Sequence, residues 1–509
     1  MSVIDKKLEA PSEDCENRQI IVPDDFDYGV PGKLEAHTYA VVATELCERY
    51  CFYGVTLILP PYLLIYHNLS RSQVVTRTKA FSFLAYFTTI VGSLVADQWI
   101  GKFRAILYFG LWYFVGSVLT TVSAIEFGSK SFREIMLYVS IYVFVAFGTG
   151  GIKGNVSSFV GEQVHTDYQN TKTIGVYTDP TKTIEKVYQY FYWAINVGAL
   201  MGITVCPLIS VRLGYQYGFM STSIIIFLAL FIYIIFKRKY NIINPQGSPL
   251  KKVVSCVRYA LKNKNSMPNR EHWLDVSKMC TTAEWDDNFV DGLKSSIKAC
   301  RVFAFFPFYW LLYNNLTDNI VLQALRMKVP SWLAAGQMNL IVQITIVAMI
   351  PIYQKVCSAY LSKRKVNYGP IKRIVTGFIL ITLGYIYTVF IQKKIYSTGP
   401  HYDFTLNTAT KESQNDISVW WQVPAYILIG SSEVFASVTG LEYAFSQSPK
   451  ELKSLMAATY QLTNCAGSLL GLTLSSFSED PKVLYLYLFE VIIMTVATIA
   501  FWFLFRKYD

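Results

Sequence analysis

Long apolar stretches alternate with shorter polar segments along almost the whole chain. A stretch of about 20 apolar residues is long enough to cross the bilayer core as a helix, and the pattern predicts about twelve such spans. We number the spans first to twelfth: 36–66, 74–98, 104–125, 135–160, 186–210, 215–237, 299–325, 331–361, 369–395, 417–446, 452–477 and 483–506.

Polar segments divide these spans into two groups of six. Residues 238–298 are rich in Lys, Asn and Asp, are helix-like at both ends, and separate the sixth span from the seventh. Residues 1–35 are polar and contain no apolar core of a signal peptide, so we expect a disordered cytoplasmic tail there. The sequence therefore predicts an all-α polytopic membrane protein. It has a six-helix bundle over 36–237, a cytoplasmic linker over 238–298 and a second six-helix bundle over 299–509.

The composition agrees with a membrane protein. Of the 509 residues, 52% are hydrophobic and 16% are charged, whereas a soluble protein is about 25% charged. The net charge of +11 is explained by basic loops that face the cytoplasm, so nucleic acid is not an expected partner. Lys363, Arg364, Lys365, Lys372 and Arg373 are such a cluster. We predict a multi-pass protein of the plasma membrane with both termini cytoplasmic.

The sequence offers no pattern typical of an enzyme. The nine cysteines are scattered without the spacing of metal ligands or of a disulfide framework. A phosphate-binding Walker loop and a nucleophile elbow are both missing from the sequence, so neither ATP-driven pumping nor hydrolysis is predicted. We expect no metal and no cofactor, and a protein that works as a monomer in the lipid bilayer.

Three ionisable residues lie inside the first apolar span, namely Glu45, Glu48 and Arg49. Each charge near the centre of a span costs about 2.5–3.5 kcal/mol on insertion scales. Glu45 and Arg49 are four residues apart and pair favourably along one helix face. Glu48 has no further local partner, so we expect a cation from another helix. Charge inside a span usually marks a substrate or ion pathway; the alternative is an internal salt bridge that only fixes helix packing.

The turn between the second and third spans carries a recognisable pattern. Its sequence is Gly92-Ser-Leu-Val-Ala-Asp97-Gln-Trp-Ile-Gly101-Lys102-Phe-Arg104. This stretch resembles the loop motif of the major facilitator superfamily, in which a small Gly permits close helix contact and the Asp caps and pairs basic residues. The resemblance implies that fold, in which two six-helix bundles rock about a midplane site. A tight basic turn anchored at the lipid headgroups is the alternative interpretation.

Four stretches, spread over the two halves of the chain, carry recognisable motifs. They are Glu45-Leu-Cys-Glu48-Arg49-Tyr-Cys-Phe52-Tyr53-Gly54, Gly148-Thr-Gly-Gly-Ile-Lys153-Gly-Asn155, Phe191-Tyr-Trp-Ala-Ile-Asn196-Val-Gly198 and Glu433-Val-Phe-Ala-Ser-Val-Thr-Gly440-Leu-Glu442-Tyr-Ala-Phe-Ser-Gln447-Ser-Pro449. In this order, and together extending over nearly the whole chain, they resemble the proton-coupled oligopeptide transporter family, in its fungal form. Each alone is suggestive, and their joint occurrence makes chance a poor explanation.

The charged residues of these stretches suit a small zwitterion. A peptide presents an ammonium group and a carboxylate at a fixed spacing, so its site needs one anionic and one cationic patch. Arg49 and Lys153 provide cations in the first half of the chain, and Glu433 provides an anion in the second. A ligand held at both poles draws the halves together and so binds the two conformations differently. Purely structural roles for Lys153 and Glu433 are the alternatives.

The uncharged candidates supply hydrogen bonds and walls. Asn196 offers a donor and an acceptor, although an interhelical hydrogen bond alone is the alternative. Tyr53 and Tyr86 are amphipathic surfaces that tolerate varied side chains, and by spacing alone they are ordinary packing residues.

The resemblance also implies a role for each residue. Glu45, Glu48, Arg49 and Lys153 match the proton-coupling group, with Lys153 paired to the first-span motif and facing the peptide carboxylate. Protonation of Glu45 or Glu48 would then break its pairing with Arg49 or Lys153 and free the cation for substrate. The implied substrate-binding residues are Arg49, Tyr53, Tyr86, Lys153, Asn196, Trp310 and Glu433. Asp97, Gly101, Lys102 and Glu442 match structural loop and gate positions.

The chain departs from the family in the seventh span. Some relatives carry a carboxylate after the Phe-Trp stretch, where this chain has Asn314. Asp318, one turn later, is a candidate replacement. This departure bears on proton stoichiometry and substrate preference more than on the fold.

The predicted function is proton-coupled symport of dipeptides and tripeptides by alternating access, with the proton as coupling ion. One alternative is a transporter of the same fold for nitrate, an amino acid or a conjugate, although Glu433 would repel a simple anion. Another is a transceptor or a scaffold that does not transport.

Overall fold

The computed structural model describes residues 28–164, 168–170, 176–245, 249–263, 272–280, 285–353, 368–404, 413–447 and 452–508. Most of the predicted tail and the basic residues 363–365 lie outside these ranges. Tyr28–Val30 forms a strand, where the sequence predicted a disordered tail. It pairs in parallel with Val176–Thr178, which also pairs antiparallel with Gln169–Asn170.

The first six spans are helices in the described part of the chain. Several contain a π-helical turn, with its wider hydrogen-bond ring. Their bounds are Ala36–Pro61 continued by Tyr62–Tyr66; Arg71–Val95 continued by Ala96–Ile100; Lys102–Ser123; Lys130–Tyr138, Val139–Val145 and Ala146–Glu162; Pro180–Leu213; and Tyr215–Ile235.

The second half is more often interrupted. The seventh span is broken by a 3₁₀ turn, and the tenth contains a π-helical turn that begins directly after Glu433. The bounds are Phe306–Tyr313, Asn314–Thr317 and Asn319–Ala324; Ala335–Asn339 and Leu340–Ile352; Pro370–Ser397; Val419–Gln422, Val423–Glu433, Val434–Val438 and Thr439–Ser446; Lys453–Leu474 and Ser475–Phe477; and Val483–Phe505. Seven helices of the described residues are long and apolar enough to cross a membrane.

Local sequence explains where several helices begin. Ser70 accepts a hydrogen bond from the Gln73 backbone NH, and the Gln73 side chain accepts one from the Ser70 backbone NH, so the two residues form a capping box. Asp179 caps the fifth span by accepting from the backbone of Thr181 and Lys182, and Pro180 is the first helical residue.

The linker has its own small hydrophobic core. Helix Pro249–Lys262 and the 3₁₀ segment Trp273–Met279 pack against helix Asp287–Phe303, whose residues Phe289, Val290 and Leu293 are buried there. Hydrogen bonds from Lys278 and Lys294 lower the pKa of the Asp291 carboxyl, so these surface ion pairs persist at neutral pH. Helix Asp287–Phe303 crosses the predicted boundary at residue 298 and leads directly into the seventh span.

Glycines bring the fourth span close to the second. A Cβ added at Gly92 would lie 2.5 Å from the Gly151 Cα atom, so only glycine allows this approach. The buried Asn155 fastens the crossing, because its Nδ2 donates to the Gly92 carbonyl at 3.1 Å and to the Gly151 carbonyl at 2.8 Å. The Gly-rich sequence therefore sets the position of the fourth span, including Lys153 and Thr149.

Glycines also seat the fifth span against the charged part of the first. A Cβ at Gly198 would overlap the Leu46 carbonyl oxygen and lie 3.0 Å from the Arg49 Cβ atom, and one at Gly202 would lie 2.5 Å from the Tyr50 carbonyl oxygen. Small residues at such crossings are how membrane helices approach closely.

We expect Gly198→Val to disrupt transport, because the added side chain must displace the backbone beside Arg49. Overpacking of this kind costs about 1–3 kcal/mol. Thermal unfolding in detergent and solute uptake both measure the effect. Leu200→Phe enlarges an exposed side chain of the same helix and should leave both unchanged. Wild-type stability and uptake in Gly198→Val would contradict the described crossing.

The two halves have separate hydrophobic cores that meet on one side of the protein. Leu57 and Ile203 of the first half pack into the core of the second, and Leu322 packs into the core of the first. We call the side on which the linker lies the linker side and the opposite side the far side. These crossing residues all lie toward the far side, so the described halves are joined there.

Candidate functional site

Arg49 binds both carboxylates of the first span. Its Nε lies 2.9 Å from Glu45 Oε1, and its Nη2 contacts Glu48 Oε2. The exposed fractions of Glu45, Glu48 and Arg49 are 3%, 0% and 4%. The predicted pairing of Glu45 with Arg49 is confirmed. The expectation that Glu48 would bind a cation from another helix is wrong, because Arg49 reaches both acids.

The fourth span contributes a hydroxyl instead of that cation. Thr149 donates a hydrogen bond to Glu48 Oε1 and is itself buried. Sequence reasoning missed this residue, although Thr149 lies four positions before Lys153 and so shares its helix face. Glu48 is thus held by a donor from a neighbouring helix as well as by Arg49.

We expect Thr149→Val to shift the pH dependence of uptake upward. The substitution removes the donor from the buried Glu48 carboxylate and destabilises its charged form by about 1–3 kcal/mol. Uptake measured over a pH series gives the shift, and Thr149→Ser, which keeps the hydroxyl, should restore the original profile. An unshifted profile in Thr149→Val would remove Thr149 from the site.

Lys153 faces aromatic rings rather than carboxylates. Its Nζ lies 4.1 Å from the centre of the Tyr86 ring and 5.6 Å from that of Phe52, which is cation–π geometry. No carboxylate of the described residues lies within 4.0 Å of this nitrogen, so the direct pairing with Glu45 or Glu48 that the resemblance implied is not present. Lys153 interacts with both acids electrostatically over a longer distance.

Glu433 in the tenth span is hydrogen-bonded to the seventh span. The Tyr313 hydroxyl donates to its Oε2, and no basic group of the described chain lies within salt-bridge distance. Sequence reasoning missed Tyr313; its position three residues after Trp310 was the available signal. In the described part of the chain, Glu433 is therefore positioned by a tyrosine hydroxyl and not by a cation.

Two tyrosines interact with charged groups of opposite sign. Tyr53 and Tyr86 each interact electrostatically with both Arg49 and Glu433. Tyr86 of the first half also interacts with the side chain of Asn464 of the second. The predicted cations and the predicted anion therefore lie around one aromatic seam between the two halves.

Trp310 and Asn196 both donate hydrogen bonds to other groups of the protein. The Trp310 Nε1 donates to Thr463 Oγ1 at 3.0 Å, and its ring packs edge-on against Tyr313. The Asn196 Nδ2 donates to the Tyr192 carbonyl of its own helix at 2.7 Å. Tyr192 in turn interacts electrostatically with Glu433, which places Asn196 beside the seam.

The loop and gate residues differ from expectation in their partners. Gly101 joins the second and third spans with a φ of +77°, which favours glycine. Lys102 forms its salt bridge with Glu162 at the end of the fourth span rather than with Asp97. Asp97 interacts with Lys102 only from beyond salt-bridge distance, and it does not cap the third span.

Glu442 joins two helices of the same half. The guanidinium of Arg373, in the ninth span, binds both of its carboxylate oxygens, at 3.0 and 3.1 Å. This bidentate pair braces the ninth and tenth spans near the linker side.

Salt bridges close the far side of the seam. Lys79 Nζ lies 3.1 Å from Asp318 Oδ2, and Arg71 Nη1 lies 3.2 Å from Asp480 Oδ1; each pair joins the first half to the second. Asp318, the candidate replacement for a carboxylate at Asn314, forms its salt bridge with Lys79 of the other half.

A polar, charged site at the seam of two helical bundles, with one side of the seam closed, is the arrangement of a secondary transporter. The comparison with known families assigns the chain within that class. Residues 103–487 match the family described as PTR2, the POT family, which is the proton-dependent oligopeptide transporter family. The chain belongs to this family, as the four sequence stretches predicted.

Fungal peptide transporters are similar over almost the whole chain. The probable peptide transporter ptr2 of Schizosaccharomyces pombe is 33% identical over 494 residues, which is 94% of this chain and 79% of the relative. The peptide transporter PTR2 of Saccharomyces cerevisiae is 29% identical over 496 residues, 94% of this chain and 80% of the relative.

Solved structures of the family share the fold. The POT family transporter PepTSo superimposes with a TM-score of 0.74 at 22% identity, over 94% of this chain and 99% of the other. A further proton-dependent oligopeptide family transporter gives a TM-score of 0.69 at 23% identity, over 91% and 99%. The predicted major facilitator fold is confirmed.

Proposed function

We propose that this protein is a proton-coupled symporter that imports dipeptides and tripeptides by alternating access. One observation carries the proposal: Arg49 and Lys153 on one half and Glu433 on the other lie around the same pair of tyrosines. A zwitterion placed along this seam meets opposite charge at each end. Because the poles belong to different halves, the bound solute favours the state in which the halves approach.

The available charges suggest how a peptide would lie. Lys153 makes cation–π contacts but no salt bridge among the described residues, so its ammonium is open to the peptide carboxylate. Among the described residues, only Tyr313 donates a hydrogen bond to Glu433, so the Glu433 carboxylate is open to the peptide amino end. Tyr53, Tyr86 and Trp310 then form the walls for side chains. Asn196 assists at the amino end, because Tyr192, one turn before it, interacts electrostatically with Glu433.

Charge balance suggests how the proton is coupled. Glu45 and Glu48 carry two negative charges, which Arg49 and Lys153 offset. A peptide carboxylate that binds at Lys153 adds a third negative charge in buried surroundings, where an unbalanced ion costs several kcal/mol. One proton on Glu45 or Glu48 restores the charge balance and weakens the ion pair of that residue with Arg49. Peptide and proton therefore bind together.

Glu433 argues against a simple anion as the substrate. A nitrate ion or another simple anion would meet the Glu433 carboxylate with no ammonium to offset it. The second negative pole fits a substrate that carries its own positive end, as peptides do.

Uptake of a radiolabelled dipeptide into proteoliposomes tests the function. With an imposed gradient that is alkaline inside, the labelled peptide should accumulate above its external concentration, and unlabelled dipeptides and tripeptides should compete. Nitrate and single amino acids serve as control competitors and should leave the uptake unchanged. No accumulation under the gradient would reject peptide symport, and competition by nitrate would favour an anion transporter.

The proposed topology places the linker and both termini in the cytoplasm and the protein, as a monomer, in the plasma membrane. The far side is then extracellular, and the structure is a state closed toward the outside by Lys79–Asp318 and Arg71–Asp480. Epitope tags at each terminus should be stained only after permeabilisation of intact cells. Staining of unpermeabilised cells would reverse the proposed orientation.

A further inference from the structure

A buried carboxylate lies outside the site described above. Glu490, in the twelfth span, is 1% exposed. The Asn315 Nδ2 atom donates to both of its oxygens, at 2.9 and 3.0 Å. No Lys or Arg of the described chain lies within salt-bridge distance of Glu490. The transport mechanism proposed above makes no use of this residue.

Glu490 is connected to the residues that close the far side. It interacts electrostatically with Lys79 of the second span and Asp318 of the seventh. These two form the salt bridge between the halves, and both are almost completely buried. The hydroxyl groups of Tyr385 and Tyr487 also interact electrostatically with Glu490.

Hydrogen bonds extend the connection to the second inter-half contact. The Asn315 Oδ1 accepts from Asn319 Nδ2 at 3.1 Å, and the Asn319 backbone NH donates to Asp318 Oδ1 at 2.6 Å. The Asn319 carbonyl accepts from Arg71 of the first half at 3.1 Å. The surroundings of Glu490 therefore depend on whether the far side is closed.

The charges of this cluster do not balance without a proton. Lys79 contributes one positive charge, and ionised Asp318 and Glu490 would contribute two negative charges. An uncompensated ion that is buried in this way costs several kcal/mol. A proton bound by Glu490 makes the cluster neutral, and Lys79 then forms its ion pair with Asp318.

We propose that Glu490 is a second proton-binding site, separate from the first-span cluster, and that its proton stabilises the closed far side. When the far side opens, Lys79 moves away with the first half and water reaches Glu490, so the carboxyl ionises and transfers its proton to water. Closing reverses this step, and a hydronium ion supplies the proton. The far side can then close only when Glu490 takes up a proton, whatever solute the central site holds.

The test follows the opening of the far side without any substrate. Ser475 is buried and hydrogen-bonded to Thr76 of the first half at 2.8 Å, whereas the adjacent Ser476 is exposed. Ser475→Cys and Ser476→Cys are made separately in the full chain and reconstituted in liposomes. Labelling by an impermeant thiol reagent is followed from mildly acidic to mildly alkaline pH. The ratio of the labelling rate at position 475 to that at position 476 removes the pH dependence of the thiol reaction itself.

With Glu490 present, the ratio should rise with pH, by up to about tenfold per pH unit, which is the slope of one titrating proton. In Glu490→Gln, which is permanently neutral and keeps an acceptor for Asn315, the ratio should be low and independent of pH. A ratio that still rises with pH in Glu490→Gln, or that is already flat with Glu490, overturns the proposal.

Lys79→Gln gives a second measurement if Glu490→Gln does not fold. The substitution also removes the salt bridge to Asp318, so the ratio should be higher at every pH. Without the cation, Glu490 ionises less readily in the closed state, so the pH at which the ratio stops rising should move upward. A ratio that stops rising at the same pH as with Lys79 present would contradict the proposal. Because no peptide is involved, this result is independent of the uptake assay: failure of peptide uptake with an intact pH response would reject the proposed substrate and keep the second proton site.

Discussion

Glu48→Gln should abolish accumulation of peptide under a pH gradient and leave peptide exchange at equal pH partly intact. The glutamine is isosteric and keeps an oxygen that can accept from Thr149. It cannot take up or release a proton, and it can no longer form an ion pair with Arg49. The substrate poles at Lys153 and Glu433 are untouched, so binding and reorientation with peptide persist.

Two assays on the same proteoliposomes separate these effects. Gradient-driven uptake measures coupling, and counterflow of labelled against unlabelled peptide measures reorientation with substrate. Glu185→Gln neutralises an exposed acid near the start of the fifth span and should leave both assays unchanged. Equal loss of uptake and counterflow in Glu48→Gln would mean that Glu48 supports the fold or the binding of peptide rather than proton coupling.

Glu433→Gln should raise the apparent KM for peptides with a free amino terminus. A hydrogen bond to a charged group contributes about 1.5–3 kcal/mol, so losing the charge should raise KM by roughly 10- to 100-fold. Tyr313 still has an amide oxygen to which it can donate, so the local packing is kept. The substitution removes only the negative pole that faces the peptide ammonium.

Concentration series with paired substrates measure this prediction. The same dipeptide with a free and with an acetylated amino terminus should differ strongly in KM with Glu433 present and little in Glu433→Gln, since the acetylated form has no charge to lose. Tyr313→Phe is the matched variant that removes the hydrogen bond and keeps the carboxylate, and its effect should be smaller. An unchanged KM in Glu433→Gln would give Glu433 a structural role only.

The closed far side and the central site are linked through the same helices. The seventh span carries Trp310 and Tyr313 toward the seam and, one to two turns later, Asp318 at the far-side salt bridge. The second span likewise carries Tyr86 at the seam and Lys79 two turns nearer the far side. A small rotation of either helix therefore changes both places together, which is the coupling that alternating access requires.

Sequence alone determined the membrane spans, the two halves and the family. Apolar runs of sufficient length fix where helices cross a bilayer, because backbone hydrogen bonds in lipid must be made within the segment. The three ionisable residues of the first span were also identifiable, since charge in hydrocarbon is costly and seldom without a role. The i,i+4 spacing of Glu45 and Arg49 was enough to predict their salt bridge.

Only the tertiary structure decided which residues of different helices meet. Glu48 binds Arg49 and Thr149 rather than a distant cation, Lys153 lies over Tyr86, and Asp318 binds Lys79. In a membrane helix the lipid-facing and the buried positions are both apolar, so the sequence pattern does not define which way each face points. Those contacts depend on how far each helix is rotated and how closely glycines let it approach its neighbour, and both follow from the packing of the whole bundle.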